Sequence, residues 1–122
     1  GVLRRIIDER DPERQLTESV MEMRLLQALR RNGLPEPVTQ FEIRHRGRFV
    51  ARVDAAYPDQ RIALEYESFE WHTGKAALLR DSARRNSIVA AGWLPISVTA
   101  KDLREGGLIV CEQIRRLRRL AS

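Results

Sequence analysis

Apolar residues recur at helical spacing near the start of the chain, as Val2, Leu3, Ile6 and Ile7, until Asp11-Pro12 breaks the pattern. A second helix is predicted from Ser19-Val20-Met21-Glu22, which reads as a capping box. Met21, Leu25, Ala28 and Leu29 form its apolar stripe, Glu22 shares an edge with Leu25, Leu26 and Leu29, and Gly33 with Pro35 stops it. Beyond Pro35-Glu36-Pro37 the period switches to two. Val38 to Arg44 reads as a strand, Arg46-Gly47 as a turn, and Arg48 to Tyr57 as a second strand. Pro58-Asp59-Gln60 turns the chain into a third strand, Arg61 to Glu67. A helix is expected from Thr73 or Gly74 to about Ala91, closed by Gly92. Trp93 to Val98 reads as a short apolar strand. A last helix from about Gly107 is expected to bury Val110, Ile114, Leu117 and Leu120. The order helix, three strands, helix, strand, helix is an α/β pattern without internal repeat.

The register of the second and third strands places chemistry on this frame. Phe49, Ala51, Val53, Ala55 and Tyr57 alternate with Val50, Arg52, Asp54 and Ala56, and Ile62, Leu64 and Tyr66 alternate with Ala63, Glu65 and Glu67. A tight turn at Asp59-Gln60 pairs Tyr57 with Ile62, Ala55 with Leu64, and Val53 with Tyr66. All three pairs are apolar, and a slip of one residue would expose them. The same register sets Asp54 opposite Glu65 and Arg52 opposite Glu67. Two acids facing each other across strands repel, and holding them there requires a shared proton or a cation. A hard divalent ion accepts such a pair together with water and phosphate oxygens. Two solvated surface acids on an open sheet face are the competing explanation, and Arg52 offers Glu67 an ordinary cross-strand partner.

Composition narrows the setting. The chain has 122 residues, 43% hydrophobic and 32% charged, which suits one domain with a single core system. It opens on Gly1 rather than methionine, which suggests a piece of a longer protein. Residues 1–12 then read as a linker or the end of a preceding domain, and 13–122 as the domain itself. No secretory signal or membrane-length apolar run is visible, so a cytoplasmic location is expected. One cysteine, Cys111, excludes an internal disulfide and reads as a small core residue among Ile109, Val110 and Ile114. Net charge is +5, and arginine supplies all basic residues except Lys75 and Lys101. Guanidinium forks suit phosphate, which makes a nucleic acid a reasonable partner. Arg44, Arg46 and Arg48 cluster at the first hairpin tip, on the sheet that carries the acids, and are candidates for phosphate contacts, as is Lys75. Arg115, Arg116, Arg118 and Arg119 line the last helix and read as a solvated face.

Downstream come His72, then Asp81 and Arg84 in the second long helix, where Leu78, Asp81, Arg84 or Arg85, and Ile88 share a face. Asp81 and Arg84 alone read as a structural ion pair, and His72 as a loop histidine. As an ordered set, Glu22, Gly33-Leu34-Pro35, Val53-Asp54, Pro58, Ala63-Leu64-Glu65, His72, Asp81, Arg84 and Gly92-Trp93 resemble the very-short-patch-repair branch of the PD-(D/E)xK nuclease superfamily. The resemblance covers about residues 17–104, and each motif is weak on its own. It implies a restriction-endonuclease-like three-layer core with a mixed central sheet of about four strands between helices. It also implies that Asp54 and Glu65 hold Mg²⁺ or Mn²⁺ against a DNA phosphodiester. Glu22, Glu67 and His72 join them as catalytic residues, with Asp81 and Arg84 in support. The chain departs from the superfamily in having Glu67 where a lysine is usual, and from the closest branch in Glu67-Ser68 where Asp-Gly is usual. Similar domains occur at the C-terminus of antitoxins of type IV toxin–antitoxin pairs, behind a DNA-binding domain. That gives a second expectation, an inactive nuclease fold serving as a DNA- or protein-binding module.

Overall fold

In the computed structural model, which describes residues 12–67 and 74–121, helix α1 runs Pro12–Arg31. Its start lies ahead of the capping box, because proline lacks the N–H that the first turn leaves unbonded anyway and its fixed φ suits that position. Ser19 therefore sits inside the helix and does not cap it. The expected helix over residues 2–10 lies outside the described residues. Strands β1 (Val38–His45) and β2 (Arg48–Tyr57) follow, joined at Arg46-Gly47, where φ is +53° and +79°. Paired positive φ values twist the hairpin in the sense its strands require. A 3₁₀ turn, Pro58–Gln60, leads through Arg61 at φ +56° into β3 (Ile62–Glu67), so Arg61 belongs to the turn and not to the strand.

Helix α2 is Lys75–Ala90 and strand β4 is Leu94–Thr99. The short helix α3, Ala100–Arg104, was not visible in the hydrophobic pattern; the Thr99 hydroxyl caps it by accepting from Asp102 N–H at 3.1 Å. Helix α4 is Leu108–Leu120. The sheet order is β1-β2-β3-β4, with the first three strands antiparallel and β4 parallel to β3.

Two cores make the three layers. On one face, Met21, Leu25, Ala28 and Leu29 of α1 and Val110, Cys111 and Ile114 of α4 meet Ala55, Tyr57, Ile62, Leu64, Tyr66 and Val98 of the sheet. On the other, Ile88 of α2 and the adjoining Ala91 meet Ile43, Ala51, Val53, Ala56 and Ala63. The strict alternation expected across β2 fails here. Ala51 and Val53 belong to the α2 core, whereas Ala55 and Tyr57 belong to the α1–α4 core. The strand changes face at Asp54, beside Gln40 of β1, whose φ is +50°. Leu78 was expected on a buried stripe, but it is 62% exposed.

Candidate functional site

Asp54 stands where β2 and β3 part. Their ladder pairs Tyr57 with Ile62, Ala56 with Ala63 and Ala55 with Leu64, as the apolar register requires, and ends there. Asp54–Glu65 and Val53–Tyr66 are therefore not ladder pairs. Strand β3 instead stays with β4 along its whole length, so that Glu65 lies beside Ser97, Tyr66 beside Val98 and Glu67 beside Thr99. The Tyr66 N–H, the first β3 donor past the break, donates to Asp54 Oδ2 at 2.7 Å. A carboxylate side chain thus takes the place of a strand carbonyl, which fixes one Asp54 oxygen at the fork.

The electrostatics carry the mark of crowded acids. Burial, with Glu65 and Glu18 adding repulsion, pushes the Asp54 carboxyl up to about 6, against the pull of the Tyr66 N–H and Arg84. Arg84 reaches across from α2 to Glu65 Oε1 at 2.5 Å and donates to the Arg52 carbonyl at 2.7 Å. The guanidinium therefore ties α2 to both arms of the fork, with the Glu65 carboxylate in its grip. The Tyr66 hydroxyl is buried without a hydrogen-bond partner among the described residues, and burial together with the charges of Asp54, Glu22 and Glu18 pushes its pKa well above the usual tyrosine value.

Of the residues singled out from sequence, the fold brings Asp54, Glu65, Arg84 and, through its charge on Tyr66, Glu22 into one neighbourhood. Glu67 ends β3, exposed, and Asp81 is exposed on α2. Arg52 makes its ion pair with Glu42 of β1 at 3.8 Å, not with Glu67 as the two-strand register suggested, because β3 has already diverged from β2. His72 lies outside the described residues. Lys75 is exposed at the first position of α2. Arg44, Arg46 and Arg48 are exposed at the hairpin tip, with Arg44 held by Glu42 at 2.5 Å. Glu18 and Tyr66 were missed. Glu18 lies one turn before Glu22 on the same edge of α1, a signal hidden once the helix was begun at Ser19.

Two acids with oxygen donors suit a hard cation that keeps most of its water, and the Asp54 carboxyl is raised chiefly by burial, with Glu65 and Glu18 adding repulsion. Among the described residues, no cluster of three or more acidic, histidine or cysteine side chains has metal-binding geometry.

Two uncharacterized proteins of Mycobacterium tuberculosis, one in strain CDC 1551 / Oshkosh and one in strain ATCC 25618 / H37Rv, are each 40% identical to the chain over 103 residues. The match takes in 84% of this chain but 38% of the length of each relative. No family model matches the chain. No solved structure matches it either. No described helix is long and apolar enough to cross a membrane.

Proposed function

We propose that the chain is a metal-dependent, endonuclease-like domain that hydrolyses DNA phosphodiester bonds. One observation carries the reading: the Asp54 carboxylate is held at an open strand fork, with one oxygen fixed by the Tyr66 N–H and its pKa raised by burial and Glu65. Asp54 and Glu65 would hold Mg²⁺ or Mn²⁺, which supplies water activation and neutralises charge developing on phosphate. The Tyr66 N–H and Arg84 each fix one oxygen of one acid. Arg84 also places a permanent positive charge at the fork. A guanidinium does not release its proton at neutral pH, so it steadies anionic oxygen and does not replace a basic lysine. Glu22 and Glu18 deepen the negative potential that draws a cation in. By the nuclease resemblance, His72 takes the proton of the attacking water and Glu67 and Asp81 complete the surround. A cytoplasmic setting goes with this activity, and target selection in a longer protein falls to an upstream DNA-binding region.

A second reading has one observation in its favour. Arg84 already compensates Glu65, so the fork is partly balanced without a cation, as in a nuclease fold kept for DNA or protein binding. Nicking of supercoiled plasmid with Mg²⁺ or Mn²⁺ separates the two. Cleavage by the wild type that is lost in Asp54→Ala supports the hydrolase; uncut plasmid with retained DNA binding supports the binding module. Cleavage that survives Asp54→Ala removes the site assignment.

A further inference from the structure

Away from the fork, three arginines converge on one groove. A cavity of about 470 Å³ between α1 and α3 is lined by Arg24, Gln27, Arg31, Leu103, Arg104 and Gly106. Arg24, Gln27 and Arg31 fall at spacings of three and four along α1, which stacks them in one row. Arg104 adds a third guanidinium from the last turn of α3. Among the described residues, none of the three arginines takes part in an ion pair. The acids nearest Arg104 in sequence are engaged elsewhere. Asp102 accepts from the Val110 N–H at 3.0 Å, and Glu105 faces Lys101 at 3.7 Å. Arg30, Arg44, Arg52, Arg84 and Arg115 each have a carboxylate instead. Three guanidiniums gathered without counter-charge repel one another, and an anion relieves that repulsion.

We propose that this groove binds successive phosphates of a nucleic-acid backbone, anchoring DNA apart from the carboxylate fork. The inference rests on the nuclease-type reading for its ligand and on the unpaired arginines for its place. Arg24 and Arg31 are seven residues apart, about 10 Å along the helix axis. One free phosphate ion meets only one end of such a row, whereas one strand of DNA offers a phosphate about every 3.4 Å of axis, or about three over that length. The row also flanks the buried stripe of α1 on the edge opposite Glu18 and Glu22, so the phosphates are kept away from those acids. Such contacts position the duplex and carry no sequence information. The hairpin tip is a weaker candidate for this role, because Glu42 already engages Arg44.

Fluorescence anisotropy of a labelled duplex, in EDTA and across a salt series, tests the groove without requiring cleavage. The triple variant Arg24→Gln, Arg31→Gln, Arg104→Gln is expected to bind about tenfold more weakly. Its slope of log affinity against log salt should fall by about 2–3, since each lost phosphate contact removes about 0.9. The triple lysine variant, which keeps the charges, should keep the slope. Wild-type affinity and slope in the glutamine triple overturn the proposal, as does a wild-type chain that binds no duplex. Competition by inorganic phosphate as effective as that by unlabelled duplex, at equal phosphate concentration, overturns the backbone as ligand. Failure to nick plasmid bears on the fork alone, and these binding results stand apart from it.

Discussion

Replacing Asp54 by asparagine isolates the energetic consequence of the crowded fork. Asparagine is nearly isosteric and keeps an oxygen to accept the Tyr66 N–H, but it carries no charge for burial and Glu65 to oppose. The carboxyl is raised from an ordinary 3.8 to about 6 in the folded chain. Below the unfolded value both states are protonated and nothing is lost. Between the two values the unfolded state ionises first, so stability falls as pH rises; above about 6 the loss is complete. The full shift corresponds to about 3 kcal/mol, and solvent screening of a partly exposed group reduces this to about 1–2 kcal/mol. In EDTA at pH 8, Asp54→Asn should therefore melt about 3–8 °C above the wild type, and at pH 4 the two should coincide. Thermal melts followed by far-UV circular dichroism over pH 4–8 provide the measurement. Millimolar Mg²⁺ should then narrow the gap at pH 8 by stabilising only the wild type. An asparagine variant that melts lower at pH 8, or a difference that does not change with pH, refutes a desolvated and crowded Asp54.

Other substitutions probe the supports of the site. Arg84→Met removes the cation between Glu65 and the Arg52 carbonyl; it should cost about 1–3 kcal/mol in urea unfolding and move the Asp54 titration, read from carboxyl carbon shifts, above its wild-type value. An unmoved titration would show that Arg84 does not act on Asp54. Tyr66→Phe deletes a buried hydroxyl that has no partner among the described residues and should leave stability unchanged or raise it by about 1 kcal/mol. A clear loss in the same unfolding assay would reveal an acceptor for that hydroxyl. Gly107→Ala should destabilise by about 2–4 kcal/mol, since φ is +68° and an added Cβ would lie 2.8 Å from the Ala28 Cβ; a wild-type melting temperature would disprove that close approach.

The frame was legible because its signals are local. Met21, Leu25, Ala28 and Leu29 specify the inner face of α1 by spacing alone, and Arg46-Gly47 specifies the hairpin by its turn chemistry. The turn after Tyr57 gave the Tyr57–Ile62 and Ala55–Leu64 pairs correctly, but not Val53–Tyr66. Helix α3 escaped notice because five residues cannot display a helical period, and its signal lies in the Thr99 cap. The start of α1 was misplaced because Pro12, which disrupts a helix from within, also fits its first turn.

The site was legible as a pair of residues but not as a geometry, and the cause lies in the pair itself. Extending the turn register beyond Ala55–Leu64 assumes that strands continue to pair. Two acids at the next position give them a reason to stop, because like charges placed opposite each other destabilise a ladder. The chain responds by parting at Asp54, turning the carboxylate onto the Tyr66 N–H and passing Glu65 to Arg84. Arg52, left without the cross-strand neighbour that register promised, turns to Glu42 on the strand that remains beside it. The same parting coincides with the change of face between Val53 and Ala55, and it lets Tyr66 pack inward beneath α1, under the charges of Glu18 and Glu22. Sequence periodicity therefore located the acids, and their mutual repulsion accounts for the departure from that periodicity.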